Sequence, residues 1–294
     1  MILVTGANGG LGAATINALI KKSSSLQIAG LVRDRSKAAE LIEKGIDVRT
    51  GDYDDFDSLV AAFKGIEKLV LVSAPALSDL RLKRESNAIL AAKEAGVKHI
   101  IFTGIQNRKD RKYIIPFITD VSDEVEKLLI ESGMNYTIVE NSIYADSIPL
   151  FTGETFEDNN IIFTAGNGRF AFVTRSDLGE GIATLLLQDG HENKKYTLSN
   201  SESWSFTDIS AIISNISGRS ISYRNISKEE YINHQVSKHN LPPFVAEFLA
   251  NWGIAAQEGE FAETDNMLEQ LLGRKPTGLE EFLPGLFYST FHTT

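Results

Sequence analysis

Apolar positions in the first half of the chain fall into two alternating kinds of run. Short, nearly unbroken Val/Ile/Leu stretches at 2–5, 28–32, 46–49, 69–73, 99–103 and 136–140 read as strands, and their lack of polar alternation is that of strands covered on both faces. Between them lie segments whose apolar residues recur every three or four positions, at 11–22, 36–44, 56–63, 81–95 and 120–132, the spacing of amphipathic helices. Gly45, Gly65, Gly96 and Gly133 stand just past four of these, where a helix closes. This alternation predicts an α/β fold, a doubly wound parallel sheet with helices on both faces. Right-handed crossovers then bring every strand's C-terminal end to one edge, where ligands bind.

Beyond residue 145 the pattern loosens. Segments 170–174, 177–188 and 196–198 read as another strand–helix–strand unit, and 205–217 as an amphipathic helix capped by Ser205 or Thr207. A brief strand at 221–223 and helices at 228–236, 242–252 and 265–272 complete the reading. The expectation is a sheet domain over 1–145 and a smaller α/β domain over 146–294, with part of 170–200 returning to the sheet.

Composition narrows the function classes. Apolar residues make up 43% and charged residues 23%, the balance of a water-soluble chain that buries a sizeable core. The absence of cysteine removes disulfides, zinc–thiolate sites and a thiol nucleophile. With 39 acidic against 29 basic residues the formal charge is −10, which repels phosphate backbones and anionic lipid surfaces. The densest basic stretch, 108–112, contains Asp110 and reads as a solvated loop, so nucleic acid is disfavoured. No signal-peptide pattern precedes the first strand, and no apolar run approaches the roughly 20 residues that span a bilayer. A cytoplasmic location without membrane contact is expected. Neither an exposed apolar stripe nor a coiled coil marks an oligomer interface; a homodimer is compatible with the sequence.

Chemistry enters at the N-terminus. Gly6, Gly9 and Gly12 are spaced three apart between a strand and a helix. The first permits a tight turn, the second lets the main chain approach a pyrophosphate, and the third lets helix and strand pack closely. The amides of Asn8, Gly9, Gly10 and Leu11 then face the phosphates at a helix N-terminus. With alternating units downstream, this context points to a Rossmann dinucleotide site. The second strand ends on Arg33 where an acid would select an unphosphorylated ribose; a guanidinium suits a 2′-phosphate by charge and forked geometry, so NADPH is the expected cofactor. Asp52 after the third strand either accepts from the adenine amino group or caps the next helix, and Tyr53 can flank the base. Small residues Ser73, Ala74 and Pro75 after the fourth strand leave room for a ribose, and Thr103 and Asn141 end the fifth and sixth strands on the same edge.

Catalytic groups are scarcer. A Tyr-x-x-x-Lys pair exchanges a proton with substrate because the lysine eases ionisation of the tyrosine. The residues four beyond the eight tyrosines are Asp57, Phe117, Glu140, Ile148, Asn200, Ser227, Gln235 and His292, none of them lysine. No Gly-x-Ser-x-Gly elbow and no His-Glu-x-x-His pattern is present, so neither a serine hydrolase nor a zinc site has an anchor. Tyr144, Phe151, Phe170, Phe172 and Trp252 are candidates either for a pocket wall or for core.

The phrase Thr5-Gly6-Ala7-Asn8-Gly9-Gly10-Leu11-Gly12 resembles the signature of atypical and extended short-chain dehydrogenases. With Arg33, Gly51-Asp52-Tyr53 and the missing Tyr-x-x-x-Lys, the chain is similar to the NmrA-like atypical members, and among them to the bacterial quinone and triphenylmethane reductases. Further signposts are Ala95–Ile100, Ser132–Thr137, Val173–Leu178, Gly190–Lys194 and Leu271–Arg274. The resemblance implies a substrate cleft between two domains and hydride transfer from NADPH to a quinone or similarly electron-poor conjugated acceptor. Such an acceptor can take its proton from solvent, so the protein need only hold it against the nicotinamide. It also implies that Asn141 binds the nicotinamide amide. Two positions depart from the reductases: Ser122 stands where they carry histidine, and Glu140 where they carry arginine beside the asparagine. These departures motivate an alternative, a non-catalytic redox sensor of the NmrA type that reads the cofactor pool. A nucleotide-sugar epimerase shares the fold and lacks its chemistry here.

Overall fold

The computed structural model describes residues 1–287 apart from 24, 75, 77, 107, 109, 117, 154 and 155. Eleven strands lie among these residues: β1 Ile2–Val4, β2 Ile28–Val32, β3 Asp47–Thr50, β4 Lys68–Val72, β5 His99–Ile105, β6 Asn135–Asn141, β7 Asn160–Phe163, β8 Arg169–Phe170, β9 Lys194–Leu198, β10 Trp204–Ser205 and β11 Ser222–Asn225. The helices are α1 Gly10–Lys22, α2 Ala39–Glu43, α3 Phe56–Phe63, α4 Ser78–Glu94, α5 Ser122–Glu131, α6 Ile148–Thr152, α7 Arg175–Leu187, α8 Phe206–Ser217, α9 Lys228–His239, α10 Pro243–Gln257, α11 Met267–Leu272 and α12 Leu279–Leu286.

Seven strands form one parallel sheet in the order β3-β2-β1-β4-β5-β6-β9. The order reverses on either side of β1, so a crevice opens at the C-terminal ends of β1 and β4. Register sets Val72 beside Thr103 and Ile105 beside Asn141, which brings these strand ends to one edge. On one face Ile16, Leu19, Leu178, Ile182 and Leu268 pack α1, α7 and α11 against the sheet; on the other, Leu59, Phe63, Ile89 and Leu129 do the same for α3, α4 and α5. Contact between α1 and α7 is close because α7 presents Gly179, where a Cβ would lie 2.5 Å from the carbonyl carbon of Ala14.

A third core, rich in rings, lies beyond the sheet. Phe151, Phe163, Phe170, Phe206 and Phe261 belong to it, wrapped by α6, α8, α10 and α12. Two small sheets brace it, β11 parallel to β7 and β10 antiparallel to β8.

Two segments differ from the sequence pattern. The helix expected over 36–44 is a 3₁₀ turn at Arg35–Lys37 followed by α2, because the Asp34 carboxylate accepts the Ser36 amide and starts a tighter turn. The strand expected over 170–174 pairs only at its start; Val173 makes a single parallel bridge to Tyr144. Of the two caps expected for α8, Ser205 is used, in a reciprocal capping box with Asp208. Among the described residues no helix is long and apolar enough to cross a membrane.

Candidate functional site

Strand β1 delivers the chain into a turn at Gly6, whose φ of +58° is a left-handed conformation natural to glycine. Gly12 sits where a Cβ would lie 2.2 Å from the Gly6 carbonyl oxygen, so the helix start and the turn are in direct backbone contact. Leu11 is buried beneath, while Asn8, Gly9 and Gly10 are exposed at the N-terminus of α1. Asn8 donates to the carbonyl of Lys37 at 3.1 Å, tying this turn to the loop that follows β2.

That loop carries Arg33, which is exposed. Its neighbours are otherwise engaged: Arg35 donates to the Val48 carbonyl, and Asp34 caps the 3₁₀ turn through Ser36. Across the groove, Asp52 accepts from the Asp54 amide at 2.9 Å, and the cap of α3 is Asp55, which accepts from Ser58. The capping alternative for Asp52 is thereby corrected: α3 begins at Phe56, directly after Asp55, and Asp52 lies three residues too early to cap it. Tyr53 is half-buried. Its hydroxyl lies 2.6 Å from Thr5 Oγ1 and 3.0 Å from the Val72 carbonyl, so it bridges the ends of β1 and β4 under the glycine turn. Burial pushes its ionisation up, and the phenol is a structural donor here.

Ser73 and Ala74 are held by a group that the sequence pattern did not reveal. The buried carboxylate of Glu85 accepts from Ser73 Oγ and from the Ala74 amide, the latter at 3.0 Å. Arg81, also buried, pairs with Glu85 at 3.3 Å and donates to the Ile118 carbonyl. Thr103 accepts the Ser73 amide at 3.3 Å. Pro75 lies outside the described residues. Ser122, at the histidine position of the resembling reductases, is buried and reached by Arg81 at 3.4 Å. It is absent from the cavity wall described next.

A cavity of about 330 Å³ opens at the C-terminal ends of β4, β5 and β6, a size that fits a small planar ligand. Its floor is Ser73, Ala74, Thr103, Gly104, Asn141 and Ser142; Ile118, Tyr144, Leu150 and Phe151 wall it, and Phe248, Leu249 and Trp252 of α10 close it. Of the aromatic candidates, Tyr144, Phe151 and Trp252 line it, whereas Phe170 and Phe172 stack on each other in the core with ring centroids 4.9 Å apart. The chamber is mostly apolar, and two polar residues of its floor are unsatisfied. Asn141 Oδ1 and Nδ2 and Ser142 Oγ are buried, and none completes a hydrogen bond of good geometry, although the Asn141 carboxamide comes near enough to the Tyr144 phenol to favour its anion.

These observations fit a dinucleotide. The helix N-terminus, the exposed guanidinium at the end of β2 and the unsatisfied carboxamide at the end of β6 lie along one sheet edge. They match in kind the phosphates, the 2′-phosphate and the nicotinamide amide. No cluster of His, Cys, Asp or Glu able to hold a metal occurs among the described residues.

Glu140 has a different role from the one its position suggests. Adjacent residues of a strand point to opposite faces, so Asn141 lines the cavity while Glu140 turns to β9. There it meets Lys195 at 3.0 Å and Thr197 at 3.4 Å, and Lys195 also holds Glu126 at 2.9 Å. Its charge is met by an ammonium outside the cavity. Burial nevertheless pushes the carboxyl up to about 7, because desolvation outweighs the attraction of Lys195.

Two of the sequence signposts also find their physical meaning. Asp177, 1% exposed, accepts from Arg274 at 2.7 Å and from the Thr277 amide at 2.7 Å, joining α7 to the segment after α11. Arg175, two residues earlier, crosses the glycine turn: a Cβ on Gly10 would lie 2.6 Å from its Cδ.

Sheet order and glycine turn together define a Rossmann-type, nucleotide-binding fold. The chain belongs to the NmrA-like family, whose profile matches residues 1–283. It is similar to Quinone oxidoreductase 2 of Escherichia coli, 33% identical over 98% of this chain and 99% of that one. A solved structure of the NADPH-dependent quinone oxidoreductase of E. coli complexed with NADPH superposes with a TM-score of 0.90 at 33% identity, covering 98% of this chain and 100% of that one. The Citrobacter sp. triphenylmethane reductase complexed with NADP(H) superposes with a TM-score of 0.88 at 34% identity, covering 99% and 100%.

Proposed function

We propose that this protein is an NADPH-dependent reductase of a quinone or similarly electron-poor conjugated acceptor. The observation that carries the reading is the unsatisfied Asn141–Ser142 floor of an apolar cavity, reached along the same sheet edge as the glycine turn. An unmade buried donor or acceptor costs about 1–3 kcal/mol, so such a floor persists where a ligand completes it. The amides of Asn8 to Leu11 would hold the pyrophosphate, Arg33 the 2′-phosphate, Asp52 and Tyr53 the adenine. Ser73, Ala74, Pro75 and Thr103 would flank the ribose, and Asn141 would fix the nicotinamide amide. When bound, the reduced nicotinamide supplies a hydride. The protein's part is to exclude water and align a flat acceptor between the cavity floor and the rings of α10.

The relatives support this reading, since proteins named as quinone and triphenylmethane reductases match over nearly the whole chain. The proposed division of labour is a nucleotide part over 1–145 and an acceptor part over 146–294, part of 170–200 serving the former. The same reading has the protein in the cytoplasm, acting alone or as a homodimer. The test is NADPH consumption by the purified protein with a panel of quinones. Acceptor-dependent acceleration is expected, and no acceleration with any acceptor would overturn the proposal. Tight dinucleotide binding without turnover would instead favour the sensor reading.

A further inference from the structure

None of the tyrosines precedes a lysine by four residues, yet one tyrosine on the cavity wall has a cation against its ring. The guanidinium of Arg175 lies 4.5 Å from the centroid of Tyr144. We propose that Tyr144 is the proton donor to the acceptor's oxygen, and that Arg175 supplies the positive charge which a Tyr-x-x-x-Lys pair draws from its lysine. The proposal rests on the reductase reading and adds a catalytic group to it.

The backbone builds this pair. The Ala145 amide donates to the Val173 carbonyl at 2.9 Å, and the Val173 amide to the Ile143 carbonyl at 3.0 Å. Residues 143–145 are thereby fixed beside residue 173, and Arg175 opens α7 two positions later. Its side chain is held from both ends, the aliphatic part across Gly10 and the guanidinium 3.4 Å from Asp146. The charge therefore stays over the ring instead of swinging into solvent.

Other groups on the cavity wall are unsuited to the task. Arg81 is committed to Glu85 and the Ile118 carbonyl, and Thr103 accepts the Ser73 amide. Ser147 Oγ donates to the Tyr144 carbonyl. Serine and threonine hydroxyls are far weaker acids than a phenol. Tyr144 and Arg81 are the titratable residues on the wall among those described, and a guanidinium does not surrender its proton, which leaves the tyrosine.

The electrostatics suit a donor. Burial holds the phenol in its protonated form, while the Asn141 carboxamide and the Arg175 cation favour the phenolate and Asp146 opposes it. The group is thus neutral at rest, with its anion partly stabilised when the proton leaves. In the step, the hydride of the reduced nicotinamide nucleotide adds two electrons to the quinone, and negative charge gathers on a carbonyl oxygen. The Tyr144 O–H bond breaks and an O–H bond forms on the acceptor, giving the hydroquinone. Solvent re-protonates the phenolate, so one quinone, one NADPH and one proton give one hydroquinone and one NADP⁺.

The experiment uses two acceptors that differ in their need for a proton, 1,4-benzoquinone and a triarylmethyl cation. The cation takes the hydride on carbon and ends neutral with no proton added. In Tyr144→Phe the quinone kcat is expected to fall about 10²-fold, the lower range for a lost general acid. The ratio of quinone rate to dye rate should fall by at least about tenfold. Quinone affinity, read from Trp252 quenching without NADPH, should stay within about threefold, as befits a group acting in the transition state. Arg175→Met should slow the quinone reaction, Arg175→Lys should restore most of it, and Arg175→Met should cost nothing more in a Tyr144→Phe background. Equal loss on both acceptors would overturn the role of Tyr144. A full further loss from Arg175→Met in the double variant would overturn the role of Arg175. Wild-type protein that consumes NADPH with neither acceptor would overturn the reductase reading, and the proton donor with it.

Discussion

Asn141 is 2% exposed, and apart from its approach to the Tyr144 phenol its carboxamide completes no hydrogen bond among the described residues, a state that costs stability unless a ligand completes it. Asn141→Leu, of similar volume, is therefore expected to raise the melting temperature by thermal denaturation while abolishing NADPH-dependent reduction. A fall in both would show that the carboxamide is structural. Arg33 is open to solvent, and a guanidinium–phosphate bond is worth about 1.5–3 kcal/mol. Arg33→Ala should raise the NADPH Kd about tenfold to a hundredfold and leave the NADH Kd nearly unchanged, as calorimetric titration would show. Both positions could be named from the sequence, Arg33 because it follows a strand end directly and Asn141 because it ends a strand and the family resemblance marks it. Glu85, Arg81 and Arg175 could not. Each acts on a residue distant in the chain or across the turn of a helix, Arg175 on Tyr144 and Gly10 and Glu85 on Ser73 and Ala74, and no periodicity encodes such meetings.

At the scale of elements, the end of the sheet carries a titrating pair. Glu140 in β6 is raised from its ordinary 4.5 to about 7 by burial, so the folded chain binds its proton more tightly than the unfolded chain does. Its contribution to stability is greatest below the unfolded value, falls as pH rises from about 4.5 through about 7, and levels off about a unit above that. Glu140→Gln removes that decline, so the variant's stability relative to wild type should grow between about pH 5 and pH 8 in urea titrations. A difference independent of pH would show that Lys195 compensates the anion fully. On the opposite face, Asp177 staples α7 to the segment after α11. Asp177→Ala leaves the Thr277 amide unmet and removes one of the two carboxylates on Arg274 Nη2, which Glu180 still holds at 2.9 Å. Arg274 is half-exposed, so the loss should be about 2 kcal/mol, below that of a fully buried pair, with faster proteolysis of 266–287. The sheet strands and the helices of the first half were legible because both faces are covered and the apolar period is clean. The short elements α6, β7 and α12 were not. Their place is set by the ring-rich core they complete, a packing that the local apolar spacing does not encode.

At the scale of the molecule, one sheet edge joins the glycine turn to a largely apolar chamber. The nucleotide end of that edge comes from local sequence, and the chamber is assembled by folding the second half of the chain over it. This explains why the cofactor was readable and the acceptor wall was not: Phe248, Leu249 and Trp252 reach the strand ends only through the packing of α10. The central claim is that a hydride passes directly from NADPH to an acceptor in this chamber. It is tested most directly by supplying NADPH deuterated at the transferred position of C4 with a triarylmethyl cation, and weighing the reduced dye. The account predicts one deuterium on the central carbon of the product and a slower reaction than with unlabelled NADPH. Reduced dye that carries no deuterium, or no reduced dye at all, would contradict it.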